Sequence, residues 1–464
     1  MPSGNQGSSP INIGERWTIR SKVLGEEREI LVSVPLSYAT STQRYPVIYT
    51  TDGESTFVPT LGAVRFMTGA SEIPQMPEAL VVSVPNTDRD RDMPTPQEYD
   101  SGRGEVNFLA FLADELIPLI DQKYRTEPLR ILLGHSQGGT FVHYSLSARP
   151  SVFQWYISLD APLLGFDKIK SLVDKDTKII QDPKFRGRLV SVEQDLGWRE
   201  AWRPLVAGAG KGFRGEQVKI TGETHETMVY KGIYEGLKYL FSDYAPPVKD
   251  AKLLDLDSYY KTISDAYGYS INIPRSVLLS SARRNTLQQN GDEALKLVQR
   301  AVAIYGESEA TRQMTARAEE AIKQGGPDPK VAEILNAPRP TAEQMRPFLG
   351  TWHGTMDVPE GSPLDVVVTF TIQDDEVRAT EVVSAAGMSP FSTHVTFIRL
   401  LDEKTLQWGG PNGRVGLNIA TAKLTDANTL KGSEGTIGVI RDPNRRLPPD
   451  PTFIYKRDAP PKSR

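Results

Sequence analysis

Between residues 15 and about 245, short apolar runs alternate with longer stretches in which apolar residues recur every third or fourth position. The runs YPVIYTTDG, EALVVSVPN, LRILLGHS, QWYISLD and GRLVSVEQD are rich in Val and Ile, end at turn residues, and read as strands. They are apolar throughout rather than alternating, which suits a mostly parallel sheet covered by helices on both faces. Between them, NFLAFLADELIPLIDQKY places Phe108, Phe111, Leu112, Leu116 and Leu119 on one helical face, with Asn107 as the N-cap. The opening WTIRSKVLGEEREILVSVP predicts an antiparallel hairpin at the sheet edge.

The pattern breaks at DYAPPVKDAK, where a Pro pair and charges mark a boundary. Residues 255 to 336 then read as helices. GDEALKLVQRAVAIYG and EATRQMTARAEEAIKQGG resemble one tetratricopeptide-like unit, too few for a peptide-binding solenoid. After GGPDPKVAEILNAPRP the period becomes two. About eight short strands separated by Asp-rich turns predict a small antiparallel β-barrel or sandwich. The expected organisation is an α/β domain over 1–245, a helical region over 246–336 and a β-domain over 337–464.

Composition narrows the picture. A chain of 464 residues needs more than one core. A net charge of -4 offers no general attraction to nucleic acid or anionic membrane. The absence of cysteine excludes disulfides and thiolate metal sites. No window approaches the ~18 apolar residues of a spanning helix. The first residues carry neither a basic n-region nor an apolar h-region. A soluble protein is expected, cytoplasmic as given or exported if a leader was removed.

Candidate chemistry centres on ILLGHSQGGT, residues 131–140. A Gly-x-Ser-x-Gly match alone says little, but here a strand leads in and an amphipathic helix leads out, the context of a nucleophile elbow. Gly134 and Gly138 allow two backbones to approach, and Ser136 falls at the carboxyl end of a strand. Of the five histidines, His135 is in the elbow and is expected to point away from Ser136. His143 lies within the following helix, and His353 and His394 belong to the β-domain. His225, on the loop after the last strand, is therefore the candidate base. The acid should lie between Ser136 and His225 in sequence. Asp195 is preferred, being far enough past its strand to clear the sheet, while Glu193, Asp160 and Glu200 compete. Oxyanion donors are expected from the N–H of Gln137 and from that of Gly53 or Glu54 in YTTDGES. The run DRDRD at 88–92 lacks the Gly and Glu of an EF-hand and reads as an ion-pair network on an exposed loop.

Taken in order, YPVIYTTDGES, VVSVPNTDRDRDMPTP, FLAFLADELIPLIDQKYRTEP, ILLGHSQGG and THETMVYKGIYEGLKYLF resemble the bacterial α/β-hydrolase esterases and are similar to the siderophore trilactone esterases. The resemblance covers about residues 15 to 245. It implies an α/β-hydrolase fold and a serine esterase, with Ser136 and His225 at the matching positions. The helical segment after residue 255 resembles the extension such esterases carry. FLGTWHG resembles the opening of lipocalin-like barrels, with Arg457 as a candidate partner over Trp352.

The expected function is a serine carboxylic-ester hydrolase acting on a small-molecule ester, with no metal or organic cofactor and no nucleic-acid or membrane partner. The same groups would serve an acyltransferase or a peptidase-like enzyme. A different class, a catalytically silent binding protein with the β-domain as receptor, gains if no carboxylate reaches His225. The β-domain would bind ligand, cover the site or make homodimer contacts. Leu163, Leu164 and Phe166 suggest an apolar lid and hence an apolar acyl group.

Overall fold

The computed structural model describes residues 11–69, 73–93, 104–162, 167–194, 212–246, 252–323, 329–359, 361–373, 376–385, 390–393, 395–412, 416–437 and 449–458. The chain divides into two compact units, Met1–Val277 and Leu278–Arg464.

The first unit is built on an eight-stranded sheet of order β1-β2-β4-β3-β5-β6-β7-β8. The strands are β1 (Glu15–Arg20), β2 (Glu27–Ser33), β3 (Tyr45–Thr50), β4 (Leu80–Ser83), β5 (Thr126–His135), β6 (Trp155–Leu159), β7 (Gly187–Glu193) and β8 (Phe213–Lys219). The hairpin β1–β2 pairs antiparallel and joins β4 antiparallel at one side, and the remaining pairs are parallel. Every residue of β3, β4, β6 and β7 is buried. These strands lack polar alternation because helices cover both of their faces.

The helices that shape the site are α1 (Gly53–Gly69), α2 (Arg89–Asp92), α3 (Gly104–Ala110), α4 (Ile117–Lys123), α5 (Gln137–Ala148), α6 (Asp167–Gln181) and α7 (Met228–Leu240). A π-helical stretch, Phe111–Leu116, joins α3 to α4. Of the face predicted from spacing, Phe108, Phe111, Leu112 and Leu116 lie in the core and Leu119 is half-buried, while Asn107 lies inside α3 and is not its N-cap. The unit continues into α8 (Leu253–Tyr267), which ends on Gly268 with φ of 78°. Tyr259 donates to the carbonyls of Asp243 and Ala245, and Tyr267 to Asp243 Oδ1 at 2.9 Å. The helical extension thus begins docked on the end of the hydrolase sheet.

The division between the units falls within α9 (Arg275–Leu287). In the second unit α10 (Gly291–Tyr305) and α11 (Glu309–Lys323) pack as a hairpin, with Gly291 set against the Ala318 carbonyl. Two short helices follow, α12 (Pro329–Leu335) and α13 (Ala342–Met345). The chain then enters β9 (Gly350–Asp357), β10 (Leu364–Gln373), β11 (Glu376–Ser384), β12 (Phe391–Thr393), β13 (Phe397–Asp402), β14 (Thr405–Asn412), β15 (Gly416–Asp426), β16 (Thr429–Ile437) and β17 (Thr452–Arg457). All pair antiparallel, in the order β12-β11-β10-β9-β17-β16-β15-β14-β13. The sheet curls into a half-barrel whose edges are β12 and β13. Trp352 is fully buried at its start, donates from Nε1 to the Phe348 carbonyl at 2.8 Å, and lies 4.4 Å from the Arg457 guanidinium.

Candidate active site

At the carboxyl edge of the first sheet, β5 runs into α5 through Ser136, which has φ of 57° and ψ of -120°. Such a conformation costs a non-glycine residue about 1–3 kcal/mol and persists only where its surroundings enforce it. Here the Ser136 N–H donates to the Leu159 carbonyl at 2.9 Å, and Thr140 closes the first helical turn onto the Ser136 carbonyl at 3.0 Å. A Cβ at Gly134 would collide with the Gly138 backbone, and one at Gly138 with Thr51. The glycine spacing is therefore set by the approach of strand, helix and the loop after β3, as the elbow reading requires.

The residue after Leu159 is Asp160, on the neighbouring strand end and itself at positive φ, 44°. Its N–H donates to the Val192 carbonyl at 2.8 Å, which turns the side chain over the sheet edge. There Asp160 Oδ2 lies 2.6 Å from His225 Nδ1 and accepts from Gln194 Nε2 at 2.9 Å. The Asp160 carboxylate is nearly buried, while the imidazole of His225 remains 39% exposed. With Nδ1–H donating to the carboxylate, the tautomer of His225 leaves the Nε2 lone pair available to take a proton.

Three of the sequence expectations change here. Asp195, the preferred acid, lies outside the described residues, as do Glu200, Leu163, Leu164 and Phe166. The carboxylate on His225 is that of Asp160, one of the alternatives. Glu193 is fully buried and faces elsewhere, accepting from Ser191 Oγ at 2.6 Å and Gln217 Nε2 at 2.7 Å. Gly53 is also corrected as an oxyanion donor, because its N–H is already bonded to the Val84 carbonyl at 2.9 Å. The N–H groups of Glu54 and Gln137 differ, since each sits in the first turn of a helix with no carbonyl one turn back inside that helix.

His135 lies beside the candidate base. Its ring centroid is 4.5 Å from that of His225, and its Nε2–H donates to the His225 carbonyl at 2.8 Å. Burial, then the neighbouring His225, lower the pKa of His135, which favours this neutral donor form. His143 is a core residue as expected, fully buried and paired through Nδ1 with Asp176 Oδ2 at 2.8 Å.

Two contributors were missed in the sequence. Asn86 Nδ2 donates to both Asp52 Oδ1 (2.8 Å) and Glu54 Oε1 (2.6 Å), fixing the loop after β3. Arg89 Nε donates to Asp52 Oδ1 at 2.6 Å, and its Nη2 reaches the His135 carbonyl at 3.3 Å. The DRDRD run is thus a short helix capped by Asp88, with Asp92 buried against Arg28 at 2.5 Å, and not an exposed loop. Its alternating charges announced ion pairs, but partners such as Asp52 and Arg28 come from distant strands that local sequence does not reveal. Among the described residues, no group of three or more His, Asp or Glu is placed to hold a metal ion. No described helix is long and apolar enough to cross a membrane.

Glu193 carries a prediction of its own. Burial pushes its carboxyl up to about 7, against the lowering effect of the Ser191 and Gln217 bonds. Between the ordinary carboxylate range and pH 7 the folded protein holds a proton that the unfolded chain releases, so stability falls as pH rises through that window. Glu193→Gln should remove this loss. At pH 8 the variant is expected to be more stable than wild type by roughly 3 kcal/mol, with ester hydrolysis unchanged. Denaturant unfolding at pH 5 and pH 8 checks this, and a large loss of kcat would return Glu193 to the list of candidate acids.

Residues 21–178 match the family model described as "Putative esterase". Together with the sheet, the elbow and the paired histidine, this defines a carboxylic ester hydrolase on an α/β-hydrolase fold. Among curated proteins, the chain is 28% identical over 227 residues to the ferri-bacillibactin esterase BesA of Bacillus subtilis (strain 168), covering 42% of this chain and 78% of that protein. Among solved structures it is similar to an IroE-like serine hydrolase from Shewanella oneidensis, with 24% identity, a TM-score of 0.52, and coverage of 62% of this chain and 99% of that one. An uncharacterised protein from Capnocytophaga ochracea DSM 7271 matches with 18% identity and a TM-score of 0.51, over 67% of this chain and 89% of its own. At these identities the structural likenesses speak for the fold.

Proposed function

We propose that this enzyme hydrolyses small-molecule esters through an acyl-enzyme on Ser136, with His225 as base and Asp160, in place of Asp195, as the acid that orients it. Ser136 Oγ attacks the ester carbonyl while His225 Nε2 takes its proton. The oxyanion is held by the N–H groups of Gln137 and Glu54, each at a helix N-terminus where partial positive charge favours it. Collapse of the tetrahedral adduct breaks the carbonyl–alkoxy bond, and His225 returns the proton to the departing alcohol. A water then gives its proton to His225 and attacks the acyl carbon, releasing the acid and restoring Ser136.

The observation that carries this reading is the 2.6 Å bond between His225 and Asp160, on the strand end adjacent to Ser136. It argues against the silent binding protein, a reading that would have gained had no carboxylate reached His225. The similarity to BesA favours a siderophore ester as the substrate.

Partitioning tests the mechanism and separates hydrolase from acyltransferase. Aryl esters sharing one acyl group but differing in leaving group are hydrolysed in water–methanol mixtures. A common acyl-enzyme gives one ratio of acid to methyl ester for all of them, with acid the main product at low methanol. A ratio that varies with the leaving group would exclude the common intermediate. Dominant methyl ester at low methanol would favour the acyltransferase.

A further inference from the structure

The half-barrel of the second unit holds polar groups that its fold alone does not explain. Across β14, β15 and β16, Trp408 faces Ala420 and Ala420 faces Glu434, so Glu434 shares the inward row of the buried Trp408. On the opposite wall, buried Glu381 accepts from Trp408 Nε1 at 2.8 Å and from Thr393 Oγ1 at 2.7 Å. Its two oxygens are thereby satisfied. Glu434 is different: among the described residues no hydrogen bond or ion pair acts on its partly buried carboxylate, only desolvation and the charge of Glu381. Those two causes raise its carboxyl to about 7.

A second, independent feature lies in the same interior. Tyr455 on β17 is fully buried, yet among the described residues its hydroxyl has no hydrogen-bond partner. The fields of both Glu381 and Glu434 reach this hydroxyl and, after burial, push its pKa up. The walls around these groups are aromatic: Phe453 stacks on Tyr455 at 4.2 Å, and Trp408 lies 5.9 Å from Phe453 and 5.4 Å from Phe370.

Two carboxylates repel an anion, and a purely apolar guest leaves Glu434 and Tyr455 unsatisfied. A primary ammonium carries three donors and a charge that aromatic faces attract. We propose that the interior of the half-barrel is a binding site for a primary ammonium group on an apolar or aromatic stem, with Glu434 as counter-ion and the Tyr455 oxygen as a further acceptor. Glu434 is only partly buried whereas Tyr455 is wholly buried. The ammonium therefore enters past Glu434 and stops at Tyr455. This site is independent of the chemistry at Ser136.

The test is calorimetric titration of the full chain with 2-phenylethylamine, with 3-phenylpropionate and 2-phenylethanol as anionic and neutral probes of similar shape. The amine is expected to bind and the other two not. Glu434→Gln should weaken the amine at least tenfold, and Tyr455→Phe at least threefold. Since Tyr455→Phe removes an unsatisfied hydroxyl, its melting temperature should not fall, which separates lost binding from lost structure. Absence of amine binding at millimolar concentration, equal binding of the carboxylate probe, or unchanged affinity in Glu434→Gln would each overturn the proposal.

Discussion

Ser136→Ala should lower kcat for ester hydrolysis by at least about 10³-fold, with KM changed far less. The elbow is held by the Ser136 backbone, through its N–H to the Leu159 carbonyl and its carbonyl from the Thr140 N–H. Alanine retains a Cβ and therefore the same strained φ of 57°. Its melting temperature should stay within about 2 °C of wild type, corresponding to about 1 kcal/mol or less for a domain of this size. Circular dichroism melts beside steady-state kinetics on one aryl ester would show whether activity and fold separate. Equal loss of both would make Ser136 a structural residue of the turn.

The second large effect concerns the acid. Asp160→Asn should reduce kcat by about 10³–10⁴-fold, because an amide cannot hold His225 in the tautomer that leaves Nε2 unprotonated. Asp195→Asn is expected to stay within about threefold of wild type. Asparagine at 160 can still accept from Gln194 and occupies the same volume, so the strand end should survive. Measuring kcat for the two variants under identical conditions decides between the carboxylates. Wild-type activity in Asp160→Asn, with collapse in Asp195→Asn, would move the acid to the next strand.

Much of the first unit is legible in the sequence because burial is recorded locally. The strands β3, β4, β6 and β7 are mostly apolar and buried throughout, and Gly134 and Gly138 mark a turn where two backbones meet. The acid is harder because its choice depends on strand order. Nothing in DAPLL or VSVEQD says which strand lies beside β5, and the sheet places β6 there, with β7 one strand further out. Asp160 consequently ends beside Ser136. Gly53 was misread for a similar reason, since its amide is occupied by the carbonyl of Val84, 31 residues along the chain and just past a strand that becomes its neighbour only on folding. His135 illustrates a third kind of limit. Alternation along a strand directs its side chain away from Ser136 but says nothing of His225, which arrives from a distant loop and lies against its ring at a 39° tilt.

The central claim is that Ser136 is the nucleophile of the His225–Asp160 pair, and its most direct test is covalent. The full chain is treated with a fluorophosphonate, and the adduct is located by peptide mass spectrometry. One adduct per chain on the peptide bearing Ser136, absent from Ser136→Ala and slowed strongly in Asp160→Asn, is the predicted result. An adduct on another residue, or full ester hydrolysis by a chain labelled at Ser136, would contradict it.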